Sequence, residues 1–112
     1  MRVFCYGTLK RGHYNNAVLR SAVFIREDRA PGVMFNLGPY PGVIPYPWGE
    51  VKGEVFQIDG EILRRLDQLE GHPHMYKREV VTLASGDEAY IYYYNRSVMG
   101  KAEVPYGDWK GN

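Results

Sequence analysis

Val3-Phe4-Cys5-Tyr6-Gly7-Thr8-Leu9-Lys10-Arg11-Gly12 decides the fold at the N-terminal end. Val3 to Tyr6 are four apolar or aromatic residues in a row, the composition of a buried strand. Gly7 and Gly12 then bracket a short turn. A turn of this kind holds consecutive backbone N–H groups away from a ladder, where they form an anion-binding nest. The spacing Gly7-x4-Gly12 imitates a phosphate loop, but His13 and Tyr14 stand where that loop needs Lys and Ser/Thr. Two readings remain at this point: a loop that presents backbone donors to something other than a nucleotide, and an ordinary strand-to-loop turn with glycines for geometry.

Around this stretch the chain reads as one domain spanning 1–112, with a C-terminal tail from about 97. Its 112 residues suffice for a real core. The hydrophobic share of 45% and charged share of 24% are those of a soluble globular protein. A net charge of +1 gives no steering toward nucleic acid or anionic lipid. A single cysteine, Cys5, excludes an internal disulfide and fits a reducing compartment. With neither a signal-peptide pattern nor a membrane-length apolar run, the expectation is a cytoplasmic protein without membrane or nucleic-acid partners.

Downstream, Asn15 or Asn16 is placed to cap a short helix through Ala17–Arg20. Strands are expected over Ala22–Ala30, Val33–Leu37, Glu50–Ile58, Tyr76–Leu83 and Ala89–Asn95. Ser85-Gly86-Asp87-Glu88 marks a hairpin between the last two. Five of the seven prolines lie at Pro31, Pro39, Pro41, Pro45 and Pro47, which excludes a helix there. Gly38 to Gly49 is therefore expected as a stiff surface loop, either a pocket wall or a rigid crossover. In the tail, Trp109 is the residue expected to dock onto the body. About six short strands and two or so short helices, without regular alternation, indicate an α+β domain with a mixed or antiparallel, barrel-like sheet.

The best helix runs from Gly60 to Glu70, capped by Asp59 and ended by Gly71-His72-Pro73. On a wheel with Ile62 at zero, Leu66 falls near ~40°, Leu63 near ~100° and Leu69 near ~−20°. Glu70 falls near ~80°, inside this apolar stripe. Burial raises a carboxyl pKa, and the negative end of the helix dipole pushes the same way. Both make Glu70 a candidate general base near neutral pH. The competing reading is that Glu70 frays outward and pairs with Lys77 or Arg78. Asp67, on the shoulder of the stripe, is the second carboxylate candidate, and the other acids look solvated.

The remaining candidates are weaker. Cys5, inside a strand, reads as a small buried hydrophobe rather than a nucleophile. His72 and His74 lack the further ligands a metal site needs. Tyr90, Tyr92 and Tyr94 share one strand face and suit cross-strand packing better than base stacking. Tyr94, at the strand end, could still direct its hydroxyl into a pocket.

Taken together, Tyr6-Gly7-Thr8-Leu9, the loop at Tyr40-Pro41-Gly42-Val43, the strand Gly53-Glu54-Val55-Phe56, Leu66-Asp67-Gln68-Leu69-Glu70 and Tyr76-Lys77-Arg78 resemble the γ-glutamylcyclotransferase-like (AIG2-like) superfamily in order and spacing. The resemblance extends to about Arg96. Size and the closing Gly107-Asp108-Trp109 are similar to its small members near the γ-glutamylamine cyclotransferase branch. Cys5 departs from the aliphatic residue more usual there, a conservative change for packing.

The resemblance implies a small barrel-containing α+β fold and an enzyme that cyclises a γ-glutamyl amine or amino acid to 5-oxoproline, releasing the amine. It implies that Tyr6, Gly7, Thr8 and Leu9 cradle the γ-glutamyl group through backbone amides, and that Glu70 is the general acid/base. Tyr40, Tyr76 and Tyr94 are expected to line the pocket, and no metal or cofactor is required. Two alternatives are a non-catalytic module that binds a small carboxylate in the same loop and an interaction protein that uses its tyrosines. Neither the leaving amine nor the oligomeric state is legible.

Overall fold

The computed structural model describes residues 1–111. Seven strands form: β1 (Arg2–Cys5), β2 (Val23–Pro31), β3 (Val33–Asn36), β4 (Pro41–Ile44), β5 (Glu50–Gln57), β6 (Tyr76–Thr82) and β7 (Glu88–Tyr94). The one α-helix among the described residues, α1, is Gly60–Leu69, and two 3-10 helices cover Asn16–Leu19 and Pro105–Gly107. The main sheet has the order β2-β5-β1-β7-β6, and β3 and β4 make a separate hairpin. All pairings are antiparallel except β1 with β7, which meet in parallel at Val3 and Tyr90. This is the expected α+β class.

The sheet curls until its outer strands approach each other. The Ala84 N–H donates to the Arg29 carbonyl (2.9 Å), and the Ser85 N–H to Asp28 Oδ1 (3.2 Å). Closure on this side is thus made by the β6–β7 turn rather than by a continuous ladder.

Alternation along β1 gives the sheet two apolar faces. Phe4 and Tyr6 join Met34, Val43, Val55, Ile91, Tyr93 and Trp109 under the β3–β4 hairpin. Val3 and Cys5 join Phe56, Ile58, Ile62, Leu66, Tyr76 and Tyr92 under α1. Trp109 is 3% exposed, so the tail docks as expected. Asn112, its final residue, lies outside the described residues.

Three expectations need correction. Gly38 to Gly49 is not simply a surface loop, because it contains β4, whose Pro41, Gly42 and Val43 are buried. Pro41 stands first in that strand, where a missing N–H is tolerated. The Tyr76 hydroxyl donates to the Pro41 carbonyl (2.8 Å). The Tyr6 hydroxyl donates to the Tyr92 carbonyl (2.6 Å) and accepts from the Val43 N–H (3.3 Å). The ladder with β3 makes this proline-rich stretch a strand, and these bonds tie it to the rest of the fold.

Second, Asn15 does stand at the cap position of the first 3-10 helix, but its side chain makes no capping bond. Third, Glu54 is not solvated. It is 8% exposed and accepts from both the N–H and Nε of Arg11 (2.8 and 3.2 Å).

Candidate functional site

Where β1 ends, the chain leaves the sheet in a tight turn, Gly7 to Lys10, closed by the Lys10 N–H on the Gly7 carbonyl (3.1 Å). Among the described residues, the N–H groups of Gly7, Thr8 and Leu9 donate to nothing. Gly7 and Leu9 are nevertheless buried. Consecutive free donors in a buried turn are what an anion or carbonyl oxygen requires of its host.

The turn is held from every side. Asn15 Nδ2 donates to Thr8 Oγ1 (2.9 Å) and Asn16 Nδ2 to the Leu9 carbonyl (2.8 Å). Lys10 Nζ reaches the Trp109 carbonyl (2.7 Å). Arg11, besides binding Glu54, lies over the Phe24 ring at 3.5 Å. Gly7 must be glycine because a Cβ there would sit 2.9 Å from Pro41 Cγ.

Opposite this turn stands the end of α1. The helix begins with Asp59 Oδ1 accepting from the Ile62 N–H (2.9 Å). It ends in a Schellman motif: the Gly71 N–H bonds the Gln68 carbonyl (3.2 Å) and the His72 N–H the Asp67 carbonyl (2.9 Å), with Gly71 at φ 62°. Glu70 is the C-cap, and its carbonyl accepts from the Tyr76 N–H (3.2 Å). Its backbone is therefore fixed on both sides.

Glu70 pairs with neither Lys77 nor Arg78. Arg78 bonds Asp67 Oδ2 (2.5 Å), and the Tyr92 hydroxyl donates to Asp67 Oδ1 (2.7 Å). Asp67 is thereby neutralised as a second carboxylate candidate. Among the described residues, the Glu70 carboxyl makes no hydrogen bond or ion pair. Desolvation by burial pushes it from 4.5 up to about 7.

The turn and Glu70 face one cleft of about 240 Å³. Of the predicted site residues, Tyr6, Gly7, Thr8, Leu9, Tyr40, Glu70 and Tyr76 all line it. Tyr94 does not; its ring packs edge-on against Tyr76 with centroids 5.3 Å apart. The hydroxyls of Tyr6 and Tyr76 are committed to backbone carbonyls. Burial, joined by the Glu70 charge, raises their pKa values. They act as fixed walls, not as acids.

Cys5 also lines the cleft, with burial and the Glu70 charge holding its thiol protonated. This fits the small-hydrophobe reading. His72 accepts the Arg78 N–H on Nδ1 (3.1 Å), a structural bond near the helix end.

Sequence reasoning missed Tyr14, Asn15, Leu69, Met75 and Tyr92 as lining residues. Leu69 carried a misleading signal. The apolar stripe placed it in the core, yet it is 43% exposed because the helix ends beside the cleft. A larger groove of about 560 Å³ lies between Lys10, Glu27, Lys52 and Asp108. It mixes both signs of charge, and Asp108 is paired with Lys10 and Lys110.

This geometry coincides with sequence kinship. The family model "Gamma-glutamyl cyclotransferase, AIG2-like" matches residues 3–111. The chain belongs to this family and is an enzyme of the γ-glutamylcyclotransferase type. It is 34% identical over 110 residues to the γ-glutamylcyclotransferase family protein YtfP of Escherichia coli K12, spanning 97% of this chain and 96% of that one. Human γ-glutamylaminecyclotransferase is 42% identical over 96 residues, covering 70% of this chain and 59% of the human one. A crystal structure of a mouse AIG2-like protein superposes with a TM-score of 0.83 at 25% identity, over 96% of this chain and 86% of that one.

Proposed function

We propose that this protein converts a γ-glutamyl amine or γ-glutamyl amino acid into 5-oxoproline and the free amine, with Glu70 as general acid/base. The observation that carries the reading is an unpaired carboxyl, raised to about 7, on one wall of a cleft whose other wall is a turn of free N–H groups.

In this reading the substrate supplies its own nucleophile. A free α-amine titrates near ~8 and is mostly protonated at neutral pH. Glu70 first takes a proton from this ammonium, which frees the lone pair with which the nitrogen attacks the γ-carbonyl carbon. Glu70 gives that proton to the departing nitrogen as its C–N bond breaks, and the ring nitrogen sheds its second proton, which Glu70 passes to the released amine. The N–H groups of Gly7, Thr8 and Leu9 hold the α-carboxylate or the oxygen on which charge develops. The aromatic walls Tyr6, Tyr40 and Tyr76 keep the glutamyl chain curled for closure of a five-membered ring.

Glu70→Gln preserves shape and removes the proton acceptor. Turnover is expected to fall by about 10²–10⁴-fold with the circular-dichroism spectrum unchanged. Release of 5-oxoproline at the wild-type rate would remove Glu70 from the mechanism.

A further inference from the structure

Glu70 meets no cation in the cleft, whose lining contains no Arg, Lys or His. The titratable groups that feel its charge are Cys5, Tyr6 and Tyr76, and burial holds all three neutral. The cation placed to change this is Arg78. Tyr76, which lines the cleft and bonds the Glu70 carbonyl through its N–H, lies two residues before Arg78 on β6. Side chains two apart share a strand face, so Arg78 points to the side of the sheet that carries α1.

Arg78 is held elsewhere on that side. Its Nη1 donates to Asp67 Oδ2 (2.5 Å), and its Cζ lies 5.0 Å from the centroid of the Tyr90 ring. Tyr92 stands directly opposite Arg78 in the β6–β7 ladder, and its hydroxyl takes the other Asp67 oxygen (2.7 Å). Asp67 is thus fixed from two strands at once. It precedes Glu70 by three positions, which makes the two carboxyls neighbours on the helix surface. A guanidinium bonded to the first is within a rotamer change of the second. The side chains of Asp67 and Arg78 remain 26% and 24% exposed, and an ion pair with that access to water adds little to stability.

We infer that Asp67 is a positioning residue: braced by the Tyr92 hydroxyl, it holds the Arg78 guanidinium off Glu70 and so leaves the Glu70 carboxyl without a cationic partner. The inference rests on the role given to Glu70 above. Paired with Arg78, Glu70 would stay ionised well below neutral pH and make a poor proton acceptor.

Asp67→Asn tests this, because it keeps the shape and an oxygen for Tyr92 but frees Arg78. The Glu70 carboxyl is followed by carbon NMR in protein isotopically labelled at glutamate Cδ, with Glu70→Gln to assign its signal. Its midpoint in Asp67→Asn is expected about one pH unit or more below that of the wild type. At pH 8, kcat/KM on γ-glutamylethylamide should fall several-fold. Adding Arg78→Gln removes the freed cation, so the midpoint and the rate should both return toward the wild type. A merely structural role predicts the opposite, a further loss in the double variant.

An Asp67→Asn protein that titrates like the wild type, or a double variant that recovers neither property, would overturn the inference. Asp67→Ser, equally uncharged, takes its place should the asparagine variant not fold. The NMR measurement needs no substrate. If the wild type turns over no γ-glutamyl compound, the cyclisation reading falls, and the midpoints still decide whether Asp67 keeps Arg78 from Glu70.

Discussion

Glu70 sits where a carboxylate costs stability, and the cost has a pH signature. Its folded-state pKa is raised from 4.5 to about 7. Below pH 4.5 the group is protonated whether the chain is folded or not, so it costs nothing. Between pH 4.5 and 7 the unfolded chain ionises first, so the native state loses relative stability as pH rises, and the penalty is complete above pH 7. A shift of this size corresponds to roughly 3 kcal/mol, less whatever partial exposure returns. Glu70→Gln should therefore be more stable than the wild type in urea at pH 8, with the gap closing toward pH 4. In the proposed role the same titration governs activity: the ionised carboxyl takes up the substrate's proton, so kcat/KM is expected to rise through about pH 7. A flat wild-type profile from pH 6 to 8 would contradict the role given to Glu70.

At the scale of elements, the site is a joint between a helix end and a strand end. Gly71, at φ 62°, closes the Schellman motif that fixes Glu70, and a Cβ there would also lie 3.2 Å from Met75 Cβ. Gly71→Ala should cost about 1 kcal/mol in chemical denaturation and reduce kcat by loosening Glu70. On the other wall, Asn15→Ala removes the bond to Thr8 Oγ1. It should raise KM more than it lowers melting temperature, because the turn it steadies presents the N–H groups.

The wheel reading found Glu70 because helix periodicity is local and the capping residues on both sides were explicit. The strand–turn at Tyr6-Gly7-Thr8-Leu9 was legible for the same reason. β4 was not, because its proline-rich composition hides the ladder with β3, and the hydroxyls of Tyr6 and Tyr76 that hold it come from far away in sequence. Tyr94 was misplaced because strand alternation gives the face a residue shares, not how far along that face a cleft extends. Asn15 had the composition of a cap, but its amide found a better partner in the Thr8 hydroxyl across the turn.

Across the whole molecule, two cores share one sheet, and the tail completes the one under the β3–β4 hairpin. Trp109→Ala should destabilise the protein by about 3–5 kcal/mol, measured by urea denaturation. The loss should extend to the cleft, since the Trp109 backbone carbonyl accepts from Lys10 at the end of the cradle turn.

That last bond has a consequence for biogenesis. It joins residues 99 positions apart, and β1 lies between β5 and β7, both made after it. The turn that follows β1 thus waits for Trp109 to be made before it can be braced. Contacts of such long sequence separation are entropically late to form. A nascent chain that has not yet produced Trp109 carries Glu70 already but no braced turn, so the two walls of the cleft are not completed together.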